Sequence, residues 1–142
     1  MNVNSILSSK GALVVTIEPT ATLSAAIGYL AEKRIGALVV TGAEGRVVGI
    51  LSERDVVRAV AAGDRAMQMP LSEVMTRKVV TCRANDSITT IMEQMTAGKF
   101  RHLPVVEDGK LAGIVSIGDV VKYRLSELEH EQNALRDYIQ TA

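Results

Sequence analysis

Ser52 and Asp55 stand three residues apart behind Gly49-Ile50-Leu51, and Ser116 and Asp119 repeat that spacing behind Gly113-Ile114-Val115. A serine hydroxyl donates and accepts, whereas an ionised carboxylate only accepts. At the start of a helix such a pair meets free amides and the positive end of the helix dipole, an environment that attracts phosphate. The hydroxyl can donate to a phosphate oxygen there, and the short carboxylate can accept from ribose hydroxyls. The same spacing also makes a capping box, in which serine caps the helix and the acid reaches back to the serine amide. Capping boxes usually end in Glu or Gln, and both copies here carry Asp. Spacing alone leaves capping and ligand contact both open.

Catalytic chemistry has less to work with. Neither histidine falls at a metal-ligand spacing, and no HExxH, P-loop lysine motif or GxSxG is present. Cys82 and His102 could be paired as nucleophile and base, but nothing around Cys82 reads as a helix N-terminus, and a lone cysteine is more often structural. The chain is expected not to be an enzyme, with no catalytic cofactor and no metal site.

The elements that must position these residues occur twice. Gly49-Ile50-Leu51-Ser52-Glu53-Arg54-Asp55-Val56-Val57 returns 64 residues later as Gly113-Ile114-Val115-Ser116-Ile117-Gly118-Asp119-Val120-Val121. Upstream the offset is 65: Val14-Val15-Thr16 answers to Val79-Val80-Thr81, and Leu38-Val39-Val40 to Leu103-Pro104-Val105. The missing residue falls in a turn, since Gly42-Ala43-Glu44-Gly45 is one longer than Glu107-Asp108-Gly109. Each repeat reads strand, helix, strand, turn, strand, helix. Leu23, Ala26, Ile27 and Leu30 form an apolar helical stripe behind Thr22, a suitable N-cap, and Ile88, Ile91, Met92 and Met95 form its copy behind Asp86-Ser87. Ala37–Thr41 with Arg46–Leu51, and His102–Val106 with Lys110–Val115, read as hairpins of nearly continuous apolar strands, which suits sheets covered by helices. Short helical entries, Val3–Leu7 and Leu71–Met75, precede the repeats. Two copies of one such unit usually pack together to bury their apolar faces, so function is to be sought where they meet.

Composition narrows the partners. The 142 residues are enough for one domain-sized core, and with 47% apolar and 23% charged residues the chain is of ordinary soluble type. No Trp, one Phe and three Tyr leave the core to aliphatic residues and offer few stacking platforms for bases. Lys plus Arg balances Asp plus Glu at 16 each, which argues against a nucleic-acid partner. No apolar run has the length to cross a bilayer, and the N-terminus lacks the features of a secretory signal. A single cysteine allows no internal disulfide, and a cytoplasmic location without a membrane partner is expected.

The last helix departs from the repeat, running to about Tyr138 with no Pro or Gly after Gly118. Val121, Leu125, Leu128, Gln132, Leu135 and Ile139 follow a 4-3 spacing, a heptad seam with one polar member. Packing back on the module and self-association both remain open readings.

The ordered set of strand-threonine, amphipathic helix, Gly36-Ala37-Leu38-Val39-Val40 or Arg101-His102-Leu103-Pro104-Val105-Val106, tight turn, and Gly-hydrophobic-hydrophobic-Ser-x-x-Asp resembles the cystathionine β-synthase (CBS) domain family. The match covers roughly Leu7 to Leu128, and two tandem copies resemble a complete, stand-alone Bateman module. The resemblance implies an α/β fold of two pseudo-twofold-related repeats, each a three-stranded sheet packed on two helices, here with an extended C-terminal helix. Residues 1–65 would form the first repeat, 66–128 the second and 129–142 the extension. It further implies a non-catalytic regulatory module that binds an adenosine-containing nucleotide, AMP first, with ATP, S-adenosylmethionine or NAD(H) open. Homodimerisation and an effector protein are the implied outputs. Carried over residue by residue, one cleft would use Thr16 and Ile35-Gly36-Ala37, completed by Ser116 and Asp119, with Arg101 and His102 near phosphate. The other would use Thr81, Arg101-His102 and Pro104, completed by Ser52, Arg54 and Asp55. Threonine and strand backbone would hold adenine, aspartate the ribose, and serine with the basic residues the phosphate. The rival expectation is a ligand-independent interaction module with vestigial clefts.

Overall fold

The computed structural model describes residues 1–141. Its elements run α1 (Val3–Lys10), β1 (Thr16–Ile17), α2 (Leu23–Lys33), β2 (Ala37–Thr41), β3 (Val47–Ser52), α3 (Glu53–Ala62), α4 (Leu71–Val74), α5 (Ile88–Gly98), β4 (His102–Glu107), β5 (Lys110–Ser116) and α6 (Ile117–Thr141). Ala142, the last residue of the expected extension, lies outside the described residues.

The first repeat builds a sheet of order β1-β2-β3, with β1 parallel to β2 and β2 antiparallel to β3. The second repeat keeps only the antiparallel hairpin β4-β5 as a sheet. Its expected third strand, Val79–Thr81, contracts to one parallel bridge between Cys82 and Val105. The Cys82 amide donates to the Pro104 carbonyl at 3.0 Å, and the Val106 amide to the Cys82 carbonyl at 2.9 Å, so pairing begins and ends at that residue.

The amphipathic stripes are buried as spaced. Leu23, Ala26 and Leu30 of α2 enter one core, and Ile88, Ile91 and Met95 of α5 the other, with Ile27 and Met92 at the margins. Both helices carry the side-chain cap that their sequences offer: Thr22 Oγ1 accepts from the Ala25 amide at 3.2 Å, and Ser87 Oγ from the Thr90 amide at 3.1 Å.

Each repeat lends its entry helix to the other. Val3, Ile6 and Leu7 of α1 are buried with Cys82, Leu103 and Val115, whereas Ala66 and Leu71 are buried with Leu38, Val40 and Leu51. Division by sequence is therefore not division by packing. The exchange ties the halves together through apolar burial, at about 25 cal/mol per Å² removed from water.

Candidate functional site

The two Ser-x-x-Asp turns first do what their spacing demands locally. The Ser52 amide donates to Asp55 Oδ2 at 2.9 Å, and the Ser116 amide donates to Asp119 Oδ2 at 2.9 Å. In return the Asp55 amide donates to Ser52 Oγ at 3.4 Å and the Asp119 amide to Ser116 Oγ at 3.2 Å. Both capping boxes are complete, so α3 and α6 each begin at a fixed point with free amides directed outward.

Strand register then decides what those helix starts face. Ala37 pairs with Ser52 and His102 with Ser116, so each serine stands beside the strand start of its own hairpin. The Glu53 amide donates to the Gly36 carbonyl at 3.1 Å, and the Ile117 amide to the Arg101 carbonyl at 2.8 Å. The two hairpin ends meet across the pseudo-twofold. A Cβ added to Gly36 would lie 3.3 Å from His102 Cε1, so glycine is what lets the imidazole come this close.

Between these ends lies a cavity of about 780 Å³. Gly36, Ser52, Arg54, Asp55, Arg101, His102 and Ser116 of the expected site residues line it. The other six lie outside its walls. Thr16 and Thr81 are exposed, Ile35 is half-buried, and Ala37 and Pro104 are buried in their strands. Asp119 is half-buried and held by Lys10 Nζ at 2.8 Å. Residues expected in two separate clefts, Gly36 and Ser116 in one and Ser52, Arg54 and Asp55 in the other, here share one wall. One cavity takes Gly36 and Ser116 from the first set together with most of the second, because the antiparallel register seats each serine beside its own strand start.

Sequence reading missed much of the wall. Arg58, Thr76, Lys78 and Lys99 add polar groups, while Ile50, Val79, Val80, Phe100 and Ile117 add apolar surface. Arg58 follows Arg54 by one helical turn, a signal that helical periodicity offered. Lys99 and Phe100 directly precede Arg101, but only the chain reversal after α5 turns them inward. Arg54 Nη1 donates to the Lys99 carbonyl at 3.3 Å, joining α3 of one repeat to the loop of the other. Five cations (Arg54, Arg58, Lys78, Lys99, Arg101) thus face two acids, Glu53 and Asp55, in a chain whose formal charge is zero.

The titratable groups follow their surroundings. Burial lowers the His102 pKa below its ordinary 6.5, with Lys10 and Arg101 lowering it further against the opposing carboxylates of Glu53 and Asp119. Burial alone would raise Asp119, but the Lys10 hydrogen bond, the Ser116 amide and the Lys10 charge outweigh it and leave the carboxyl lowered. Cys82 is pushed up to about 12 by burial, with Asp86 and Glu107 adding to the effect. At neutral pH burial keeps it a thiol, with little of the thiolate that a nucleophile needs.

A CBS domain model matches residues 13–62 and again 71–126. The chain belongs to the CBS domain family. The CBS-domain containing protein ATU1752 of Agrobacterium tumefaciens is 50% identical in its solved structure, with a TM-score of 0.83 over 87% of this chain and 92% of that one. The mitochondrial CBS domain-containing protein CBSX3 of Arabidopsis thaliana is 33% identical over 124 residues, 84% of this chain, and the match spans 60% of that relative's length. The solved CBS domain pair of protein MJ0100, in complex with 5'-methylthioadenosine and S-adenosyl-L-methionine, shares the fold at 24% identity and a TM-score of 0.79, covering 89% of this chain and 98% of that one. Among the described residues no helix is long and apolar enough to cross a membrane, and no cluster of three or more potential metal ligands occurs.

Proposed function

We propose that this CBS pair binds an adenosine-containing nucleotide of the AMP, ADP and ATP class in the cavity between its repeats, and acts as a non-catalytic regulatory module. The supporting observation is the composition of that wall: five cations and two capped helix starts beside an apolar face of Val79, Val80, Phe100 and Ile117. Guanidinium groups and free amides suit phosphate, and the apolar face suits a base. Asp55, in the same wall, supplies the carboxylate for ribose hydroxyls. The volume falls within the range of small-molecule sites. That the same fold holds adenosine derivatives in the MJ0100 pair supports the ligand class. S-adenosylmethionine brings its own positive charges to a cationic wall and is disfavoured against phosphorylated nucleotides.

Output would leave through α6. An open groove lined by Val121, Lys122, Leu125, Ser126 and Glu129 shares Arg101, Ile117 and Gly118 with the cavity wall. A ligand can shift what docks there only by binding one arrangement of these shared residues better than another. The effector protein, or a second copy of the chain, would read that difference.

The test is a series of adenosine, AMP, ADP and ATP measured against the native chain and Arg101→Gln. Affinity should rise with phosphate number, and the variant should lose about tenfold for ATP with little change for adenosine. Affinity indifferent to phosphate number, or to Arg101, would overturn the reading.

A second reading rests on the exposed seam. Leu125, Leu135 and Ile139 are 57%, 61% and 64% exposed, as expected of a helix that associates whether or not nucleotide is present.

A further inference from the structure

Helix α6 turns one side to its module and the other to solvent. Val120 is buried and Tyr123 Oη donates to the Ser5 carbonyl at 3.1 Å, so the module lies on the side that these two residues share. Val121, Leu125, Leu128, Gln132, Leu135 and Ile139 fall on the opposite side, and the apolar ones are between 40% and 64% exposed. The open groove along Val121, Leu125 and Glu129 is the upper end of this face. As a heptad, Leu125, Gln132 and Ile139 take the a positions and Val121, Leu128 and Leu135 the d positions. Arg124 and Glu131 are then flanking g residues, and Lys122, Glu129 and Arg136 flanking e residues.

The flanking charges select what covers the seam. In a parallel pair of helices each g residue faces the e residue five places on in the other chain. Arg124 then meets Glu129 of the second copy, and Glu131 meets its Arg136: opposite charges in both cases, each contact made twice by the twofold. In an antiparallel pair e faces e and g faces g. The alignment that sets Val121 on Ile139 and Leu125 on Leu135 puts Lys122 against Arg136, Glu129 against Glu129 and Glu131 against Glu131. All three are like-charge contacts. Gln132 makes the same choice. Parallel pairing sets its amide against an identical amide, where each can donate and accept, whereas antiparallel pairing sets it against Leu128. Arg124 reaches Glu127 Oε2 in its own helix at 3.5 Å, an exposed pair that is readily exchanged. Among the described residues Glu129, Glu131 and Arg136 have no ion-pair partner in their own chain.

We infer that the occupant of this seam is α6 of a second copy, wound as a parallel, in-register two-stranded coiled coil. This pairing rests on the association reading of the exposed seam above, adds orientation and register to it, and needs no nucleotide. It sets the two modules, and so their cavities, at the same end of the coil.

Analytical ultracentrifugation and oxidative cross-linking of the full chain test it. The native chain should be a dimer. Arg136→Glu should weaken it about fivefold or more by setting Glu131 against a carboxylate, and adding Glu131→Lys should return the dissociation constant to within about twofold of native. On a Cys82→Ala background, Leu125→Cys and, separately, Ile139→Cys should each give a disulfide-linked dimer on mild oxidation, since parallel pairing sets each position beside itself. Antiparallel pairing would part the two Leu125 positions by about 15 Å along the axis and the two Ile139 positions by about 27 Å, beyond the reach of a disulfide. A dimer that Arg136→Glu leaves unchanged or tightens, or in which neither introduced thiol cross-links, would overturn parallel pairing while seam association stands. A native chain that is monomeric would overturn both.

Discussion

His102 stands where two hairpin ends, two carboxylates and two cations converge, and its protonation is a property of that crowd. Its pKa lies below 6.5 because burial disfavours the imidazolium, so at neutral pH it is uncharged. The unfolded chain then binds the extra proton first. The corresponding stability is fully present above about 6.5 and is lost as pH falls through the lowered folded value. A phosphate in the cavity reverses the preference by favouring the charged ring. Affinity for ATP should therefore rise as pH falls from about 7.5 to about 6, and His102→Gln should flatten that rise. An affinity in the native chain that is level over this range would separate His102 from the phosphate. At this scale, Ser52, Asp55, Ser116 and Asp119 were legible because a capping box is a local pattern. Lys10, Lys78 and Lys99 were not, since distant segments deliver them and no spacing in the chain marks them.

The elements were legible wherever periodicity had a buried face to act on. The stripes of α2 and α5, their serine and threonine caps and both hairpins follow from side-chain pattern and turn chemistry. Asp108 and Gly109, with φ of 51° and 76°, give the second hairpin the turn that its Asp-Gly pair announces. The third strand of the second repeat was misread because β propensity in Val79-Val80-Thr81 is a preference for a paired, half-buried surface. There the chain follows the cavity wall instead, with Val79 and Val80 lining it. The last helix runs on past the core because nothing after Gly118 stops it, whereas α3 ends at Gly63. Its two readings divide at Tyr123, whose hydroxyl ties it to α1. Val120 and Tyr123 pack on the module, whereas the seam residues Val121, Leu125, Leu128, Leu135 and Ile139 are exposed. Leu135→Glu with Ile139→Glu should convert a dimeric chain to monomer in analytical ultracentrifugation, with the melting temperature nearly unchanged, since neither side chain packs on the core. A native chain that is monomeric, or a variant that remains dimeric, would place self-association elsewhere or exclude it.

At the scale of the whole molecule, two copies of one unit exchange their entry helices and bring two helix starts to a common cavity. Symmetry is broken in a few places, each with a chemical consequence: Arg54 against Gly118 and Lys10 against the shorter α4. The duplicated fold was visible in the sequence because each motif occurs twice at a near-constant offset. The composition of the cavity wall was not, because it depends on strand register and on how closely Gly36 allows His102 to approach. The most direct measurement is a calorimetric titration of the native chain with AMP, ATP, S-adenosylmethionine and NADH, each repeated as a thermal shift. Saturable binding of ATP or AMP at one site per chain, with a raised melting temperature, is the expected result. No heat and no thermal shift with any of the four would contradict nucleotide binding between the repeats and leave the exposed seam of α6 as the working surface.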